Sequence, residues 1–282
     1  MSFLLFIQTV IMGIIQGITE WLPISSTGHL ILFNEFCPMN VSSQFMETFK
    51  VVIQFGSILA VVVLYWSKLN PFTRSKTDGQ ISNFSLGSKV FLSRKTIILY
   101  LKVLVGVIPA GVIGLLFDDI IEGYLSGPVV IAIALIFYGV VFIVIESMKI
   151  TPKYSDLDTL PFKTAFLIGV FQILALIPGT SRSGSTIIGA TIIGCSRFVA
   201  AEFSFFLAIP VMLGASALKL LKAGFAFSGA EWVVLSLGTV VSFVVSVLAI
   251  KFLMGYIRKH DFKGFGYYRI VLGVLLILYF AL

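Results

Sequence analysis

The chain has 282 residues, 58% of them hydrophobic and 12% charged, with a net charge of +7 and a mean hydropathy of +1.06. Soluble domains carry roughly 25% charged residues, so this composition excludes an ordinary soluble domain, which could not hide so much apolar surface. The positive charge does not call for nucleic acid as a partner, because the basic residues sit in short segments between apolar runs, where membrane topology accounts for them.

The first apolar region, residues 3–33, has no basic leader and no small-residue cleavage site, so no separate signal peptide is expected. It is interrupted by Pro23-Ile24-Ser25-Ser26-Thr27-Gly28-His29. Spans are expected at about 49–66, 97–117 and 128–146, each near the roughly 20 apolar residues that a bilayer requires. A second broken region, residues 162–194, contains Pro178-Gly179-Thr180-Ser181-Arg182-Ser183-Gly184. Three more spans follow at about 203–221, 231–254 and 268–282. The flanks of both breaks are too short to cross a bilayer. Irregular backbone at membrane depth survives where protein or a water-filled cavity satisfies its polar groups. The pattern predicts an all-α polytopic membrane protein, 1–282 as a single integral-membrane domain, with six transmembrane helices and two re-entrant helix–loop–helix hairpins. Cys37 and Cys195 are far apart and suggest neither a disulfide framework nor a zinc site.

Residues 67–96 carry Lys68, Arg74, Lys76, Lys89, Arg94 and Lys95 against Asp78, and 255–269 carry Arg258, Lys259, Lys263 and Arg269 against Asp261. Residues 147–163 add Lys149, Lys153 and Lys163, nearly balanced by Asp156 and Asp158. The loop 118–127 is acidic, with Asp118, Asp119 and Glu122. The positive-inside rule puts the first three in the cytoplasm and the acidic loop outside. The first hairpin then opens outward and the second inward. Lys219 and Lys222 fall on the outer side, against the rule. Gly13 and Gly169, Gln16 and Gln172, and Gly28 and Gly184 are each 156 residues apart. Pro23 and Pro178 are 155 apart, and Gly56 and Gly214 are 158 apart. These offsets predict an inverted repeat with halves at about 1–147 and 160–282, each a hairpin followed by three spans.

Burying an unpaired charge at bilayer depth costs about 2.5–3.5 kcal/mol, so ionisable groups in the apolar segments must face the interior and pair. Glu202 and Arg197 read as structural ion-pair members. Glu20, His29 and Arg182 flank or occupy the breaks. Gln16 and Glu20 are four apart and share one helix face. Ser25, Ser26 and Thr27 suit the N-cap of a helix starting near Gly28. Such a helix start is a natural phosphate seat. A hydroxyl, an imidazole and a carboxylate in one short segment suit nucleophilic or acid–base catalysis. In the second break, Thr180, Ser181, Ser183 and Ser185 surround Arg182, whose planar fork matches phosphate oxygens.

Residues Gly13 to Leu30, reading GIIQGITEWLPISSTGHL, resemble the first signature of the bacterial undecaprenyl-pyrophosphate phosphatases of the bacitracin-resistance type. Pro178 to Gly184 resemble the second signature, and the stretches 49–60 and 201–205 also look like family sequence. The resemblance covers essentially the whole chain. It implies hydrolysis of undecaprenyl pyrophosphate to the monophosphate carrier used in peptidoglycan synthesis, with bacitracin resistance as a consequence. It further implies a bacterial inner-membrane location, a site facing the outer side, and a divalent cation, Mg or Ca. A homodimer stays open as the assembly. Residue by residue, Glu20, Ser26, His29 and Arg182 correspond to the catalytic positions. Ser25, Thr27, Gly28, Thr180, Ser181 and Ser183 correspond to substrate binding. Glu20 and Gln16 would take the metal, although many members have Glu where this chain has Gln16.

The expected chemistry is phosphoanhydride hydrolysis where the two hairpins meet, with Ser26 as nucleophile, His29 as base and then acid, and Glu20 orienting His29 or the metal. Attack by His29 itself, or by water, remains open at this point. Phe and Val side chains are expected to line a lateral opening for the polyprenyl tail. The competing reading is a lipid-carrier flippase or secondary transporter, since inverted repeats with broken helices also describe transporters.

Overall fold

A computed structural model describes residues 2–78, 81–86, 90–125, 127–224 and 227–281, the side chains of 81, 118, 119, 122, 223 and 281 excepted. Lys89 and the side chains of Asp118, Asp119 and Glu122, used in the charge argument above, lie outside what is described.

The chain begins with a helix–break–helix pair, α1 (Phe3–Thr19) and α2 (Ser26–Phe36). Then come α3 (Ser43–Leu64) and the single turn α4 (Trp66–Leu69). Between 72 and 92 lie five two-residue strands in two small antiparallel sheets, which the sequence did not announce. Next are α5 (Arg94–Leu125) and α6 (Pro128–Ser147). The second broken pair is α7 (Phe162–Gln172), extended by a 3₁₀ turn at Ile173–Leu176, and α8 (Arg182–Ile193). Helices α9 (Arg197–Ala223), α10 (Gly229–Tyr256) and α11 (Lys263–Ala281) complete the bundle.

Among the described residues, six helices are long and apolar enough to cross a membrane: α3, α5, α6, α9, α10 and α11. The all-α polytopic membrane fold is as expected, but several boundaries move. Helices α3, α9 and α10 start before their apolar runs because a serine caps each first turn, Ser42, Ser196 and Ser228 respectively. In α10 the cap is reciprocal, with the Glu231 carboxylate accepting from the Ser228 N–H at 2.8 Å. The acidic segment 118–127 is no loop for most of its length, since α5 continues to Leu125. Arg269 was counted with a cytoplasmic loop, yet it lies inside α11.

Packing follows membrane rather than soluble logic. On α10 the buried face carries Gly238, Ser242, Ser246 and Ala249. The opposite face exposes Val240, Val244, Leu248 and Phe252. Small and hydroxylated residues inside, large apolar residues outside, is how helices associate where lipid removes the hydrophobic drive. Ser57 of α3 lies 2.8 Å from Ser242 and 3.0 Å from Ser246 across that face. Ser246 also donates to the Gly17 carbonyl at 3.3 Å, tying α1 to α10. The first helix of each broken pair packs on a long helix from the other half of the chain, α1 on α10 and α7 on α5. The remaining large interfaces are α6 with α11 and α3 with α9 or α10. Glycine makes these approaches: a methyl group on Gly169 would lie 2.0 Å from the Gly106 carbonyl oxygen, and one on Gly56 would lie 2.1 Å from the Thr239 carbonyl oxygen.

Glu202 pairs with Lys68 at 2.6 Å and Arg197 with Glu146, its Nε donating at 2.9 Å, the structural ion pairs expected of them. Cys37 and Cys195 are both free thiols.

The α3–α10 contact sets a stability prediction. Gly56→Val must push backbone against backbone, and overpacking of this kind costs about 1–3 kcal/mol. Thermal unfolding of the purified protein in detergent should show a clearly lowered Tm, whereas Gly214→Val, where an added methyl meets nothing within 4 Å, should leave it within a degree or two.

Candidate active site

Both breaks end in the same local structure. Pro23 and Pro178 stop regular helix. The chain then turns through a serine with positive φ, Ser25 at 76° and Ser181 at 75°. Each serine caps the following helix, Ser25 Oγ accepting from the Gly28 N–H at 3.3 Å and Ser181 Oγ from the Gly184 N–H at 3.2 Å. Positive φ in a residue with a Cβ is strained by about 1–3 kcal/mol and concentrates at functional sites. What it achieves here is direction. The positive ends of α2 and α8 open on one cavity, and the first helical residues there are Ser26 and Arg182.

Glu20 lies between them. Its Oε2 accepts from Ser26 Oγ at 2.8 Å and from Gln16 Nε2 at 3.1 Å. Its Oε1 accepts from Arg182 Nη2 at 3.1 Å. The Glu20 and Arg182 side chains are 6% and 11% exposed, so the pair is held largely out of water, where charge-assisted bonds are strong. Arg182 is fixed from behind by the Ser204 carbonyl, which accepts from Nη1 at 2.8 Å, and its guanidinium lies 5.8 Å from the Trp21 ring centroid. Its Nε finds no partner among the described residues.

The cavity has a volume of about 680 Å³. Its polar lining includes Glu20, Ser25, Ser26, Thr27, Ser181 and Arg182. Its walls run along Val107–Leu116 of α5 and Pro210–Lys222 of α9. The apolar lining is Leu, Val, Ile, Met, Ala, Pro and Gly; the Phe side chains expected there are elsewhere, many of them packed in the core. Gly111 and Gly214 in these walls are not packing glycines, since an added methyl on either would find at most one distant neighbour. They leave room instead. Lys222 lies on the cavity lining and Lys219 pairs with Glu47 at 3.2 Å.

The other expected site residues divide. Gly28 is a buried cap partner. Thr180 is buried and meets the site through its backbone. Ser183 is buried and donates to the Glu20 carbonyl at 3.1 Å, joining the two breaks. His29 does not reach the Glu20–Ser26–Arg182 centre by any described contact. Its Nδ1–H donates to the Ser25 carbonyl at 2.7 Å, so its Nε2 accepts from the Tyr268 hydroxyl at 2.7 Å. The two rings stack 5.7 Å apart. Among the described residues no group of three His, Cys, Asp or Glu gathers. Gln16 Oε1 is buried without a partner beside Glu20, an oxygen suited to a hard cation, and Glu20 Oε1, which has Arg182 as its one described donor, keeps a second lone pair.

Sequence reasoning missed Arg269. It is wholly buried, with 0% exposure. Nη1 donates to the Pro23 carbonyl at 3.0 Å, and Nη2 donates to those of Gly179 and Thr180 at 2.8 and 2.9 Å. One guanidinium thus binds both breaks. The available signal was an arginine followed directly by the apolar run Ile270–Leu278.

Fold and centre together define a class: a polytopic membrane protein with a carboxylate, a hydroxyl and a guanidinium gathered where two broken helices meet. The chain belongs to the bacitracin resistance protein BacA family, whose model matches residues 9–275. It is 58% identical over 281 residues to undecaprenyl-diphosphatase 1 of Clostridioides difficile, covering 100% of this chain and 98% of that one. It is 55% identical to the undecaprenyl-diphosphatase of Acetivibrio thermocellus, covering 97% of each chain. With that of Enterococcus faecalis it shares 54% identity, covering 100% of this chain and 99% of the other.

Removing the Arg269 donors strands three carbonyls in a dry interior, at about 1–3 kcal/mol each. Arg269→Met should therefore lower the Tm in detergent markedly, and Arg269→Lys should recover only part of it, because a point charge cannot span both breaks. An unchanged Tm in the Met variant would show that other contacts hold the breaks together.

Proposed function

We propose that the protein hydrolyses undecaprenyl pyrophosphate to undecaprenyl phosphate and inorganic phosphate, returning the carrier to cell-wall synthesis, with Ser26 as nucleophile and Glu20 as its base. The observation that carries the reading is the Glu20 carboxylate bonded at once to Ser26 Oγ (2.8 Å) and Arg182 (3.1 Å) at two helix N-termini. The names of the relatives supply the substrate. In the first step the Ser26 proton passes to Glu20 as Oγ bonds to the terminal phosphorus. The bridging P–O bond breaks, and the lipid monophosphate leaves. Arg182 and the free N–H groups of α2 and α8 hold the charge on the transferred phosphoryl group. Glu20 gives its proton to the departing oxygen. In the second step Glu20 takes a proton from a water whose oxygen bonds to the phosphorus; the Ser26 Oγ–P bond breaks, phosphate leaves, and Glu20 returns the proton to Ser26 Oγ.

Glu20 takes the base role first assigned to His29, because it is Glu20 that accepts the Ser26 hydrogen bond. His29, held between Ser25 and Tyr268, braces the turn that aims Ser26. A divalent cation would arrive with the pyrophosphate, Glu20 and Gln16 contributing oxygens, and would neutralise charge on the phosphate oxygens; magnesium in particular is commonly held this way, by one or two carboxylates and substrate phosphates. The walls of α5 and α9 receive the polyprenyl tail. They are the C-terminal halves of helices that the positive-inside rule sends outward, which supports a cavity reached from the outer face of the bacterial cell membrane. On the same rule the two broken pairs enter as re-entrant hairpins from opposite faces. The shared Ser25 and Ser181 geometry and the crossed packing of α1 and α7 support reading them as inverted halves.

Phosphate release from the pyrophosphate lipid by the purified protein tests the activity. Ser26→Ala and Arg182→Ala should each lower it by at least about 100-fold, comparable to losing a main source of transition-state charge stabilisation. Wild-type rates in both would exclude Ser26 and Arg182 from the catalytic roles assigned to them. A quenched reaction should yield an acid-stable phosphoserine at Ser26; an acid-labile adduct would move the nucleophile to His29. Glu20→Gln should lower kcat by about 10²–10⁴, as expected for loss of a general base, while His29→Asn should lower it less.

A further inference from the structure

Gln172 is the last residue of α7 and is 2% exposed. Among the described residues neither Nε2 nor Oε1 has a partner. Buried polar atoms without partners are uncommon and call for a ligand, a water or an ion. Gln172 lines the 680 Å³ cavity together with Arg182, so the missing partner is to be sought there.

Its counterpart in the first half sharpens the point. Gln16, 156 residues earlier, donates its amide to Glu20 four residues on. The residue four on from Gln172 is Leu176. The second half therefore keeps the carboxamide and lacks the acceptor. The amide, with two N–H donors, belongs to a residue in the lining of the cavity that also holds Arg182. The face of α7 that carries it, with Gly169 and Ile168, is the one packed on α5 at Gly106. Gln172 thus stands where α7 meets α5, the helix that supplies one of the apolar walls of the cavity.

We infer that Gln172 binds the lipid-linked phosphate of the pyrophosphate, the one that stays with the product. This rests on the hydrolase reading above and adds to it a residue for the leaving half of the substrate. Since the same phosphate is present in substrate and product, the contact is made equally before and after cleavage. Such uniform binding acts on KM and hardly on kcat.

The test uses the purified full chain in detergent with polyprenyl pyrophosphate as substrate and polyprenyl monophosphate as inhibitor. Gln172→Leu should raise KM about tenfold or more and raise the inhibition constant of the monophosphate by a similar factor, with kcat within about twofold. Gln172→Glu keeps the shape and brings a negative charge, so both constants should rise further; it also carries the test if the Leu variant does not fold. Unchanged constants in either folded variant overturn the inference, and a raised Tm in the Leu variant would then mark the amide as a plain buried orphan. A fall in kcat alone also overturns it. A wild-type protein that releases no phosphate fails the hydrolase reading instead, and the two failures are told apart.

Discussion

A break in a helix at membrane depth exposes carbonyls that lipid cannot satisfy, and in this protein Arg269 satisfies those of both breaks at once. Its guanidinium binds Pro23 on one side and Gly179 and Thr180 on the other. No carboxylate neutralises it among the described ion pairs, so its charge is met by carbonyl dipoles and by the Tyr138 ring, 5.9 Å away. Everything in the centre follows from that clasp. With the breaks fixed against each other, Ser183 can reach the Glu20 carbonyl and Glu20 can reach across to Arg182.

The two breaks share a scaffold and differ in chemistry, most directly at the first residue of the helix that follows each. Ser25 and Ser181 adopt the same unusual φ and cap the same third residue, a glycine. The residue that follows is Ser26 in one and Arg182 in the other. Corresponding positions in the two breaks thus carry a hydroxyl and a guanidinium, both bonded to one carboxylate. A symmetric frame has been given an asymmetric task with very few residues, and the strain in the serines is met by the caps that they make.

Much of this was legible in the chain. Composition and run length gave the membrane fold and the six spans, because lipid demands long apolar helices and little else matches. The breaks were visible because Pro, Gly and hydroxyl residues cluster there in consecutive positions, whereas in the spans they are spaced singly along packed faces. Glu20, Ser26 and Arg182 followed from their place in them. Arg269 was not legible, because proximity to a basic loop gave it an ordinary topological explanation. The partner of Ser26 was not legible for a related reason: Ser26 and His29 are close in sequence, but the turn at Ser25 sends the imidazole to Tyr268 and brings Ser26 back to Glu20, a matter of backbone direction. Helix starts shifted outward because capping serines recruit polar residues into the first turn, which hydropathy alone leaves out.

The position of Arg269 in the chain also bears on biogenesis. It sits on α11, the last helix described, so a ribosome has already delivered both breaks to the membrane before the residue that joins them is made. Until α11 inserts, the carbonyls of Pro23, Gly179 and Thr180 lack the donor that binds them together, and Ser26 has no firmly placed Arg182 opposite. The centre is therefore completed late, and a truncated or half-inserted chain would carry both signatures without a working arrangement of them.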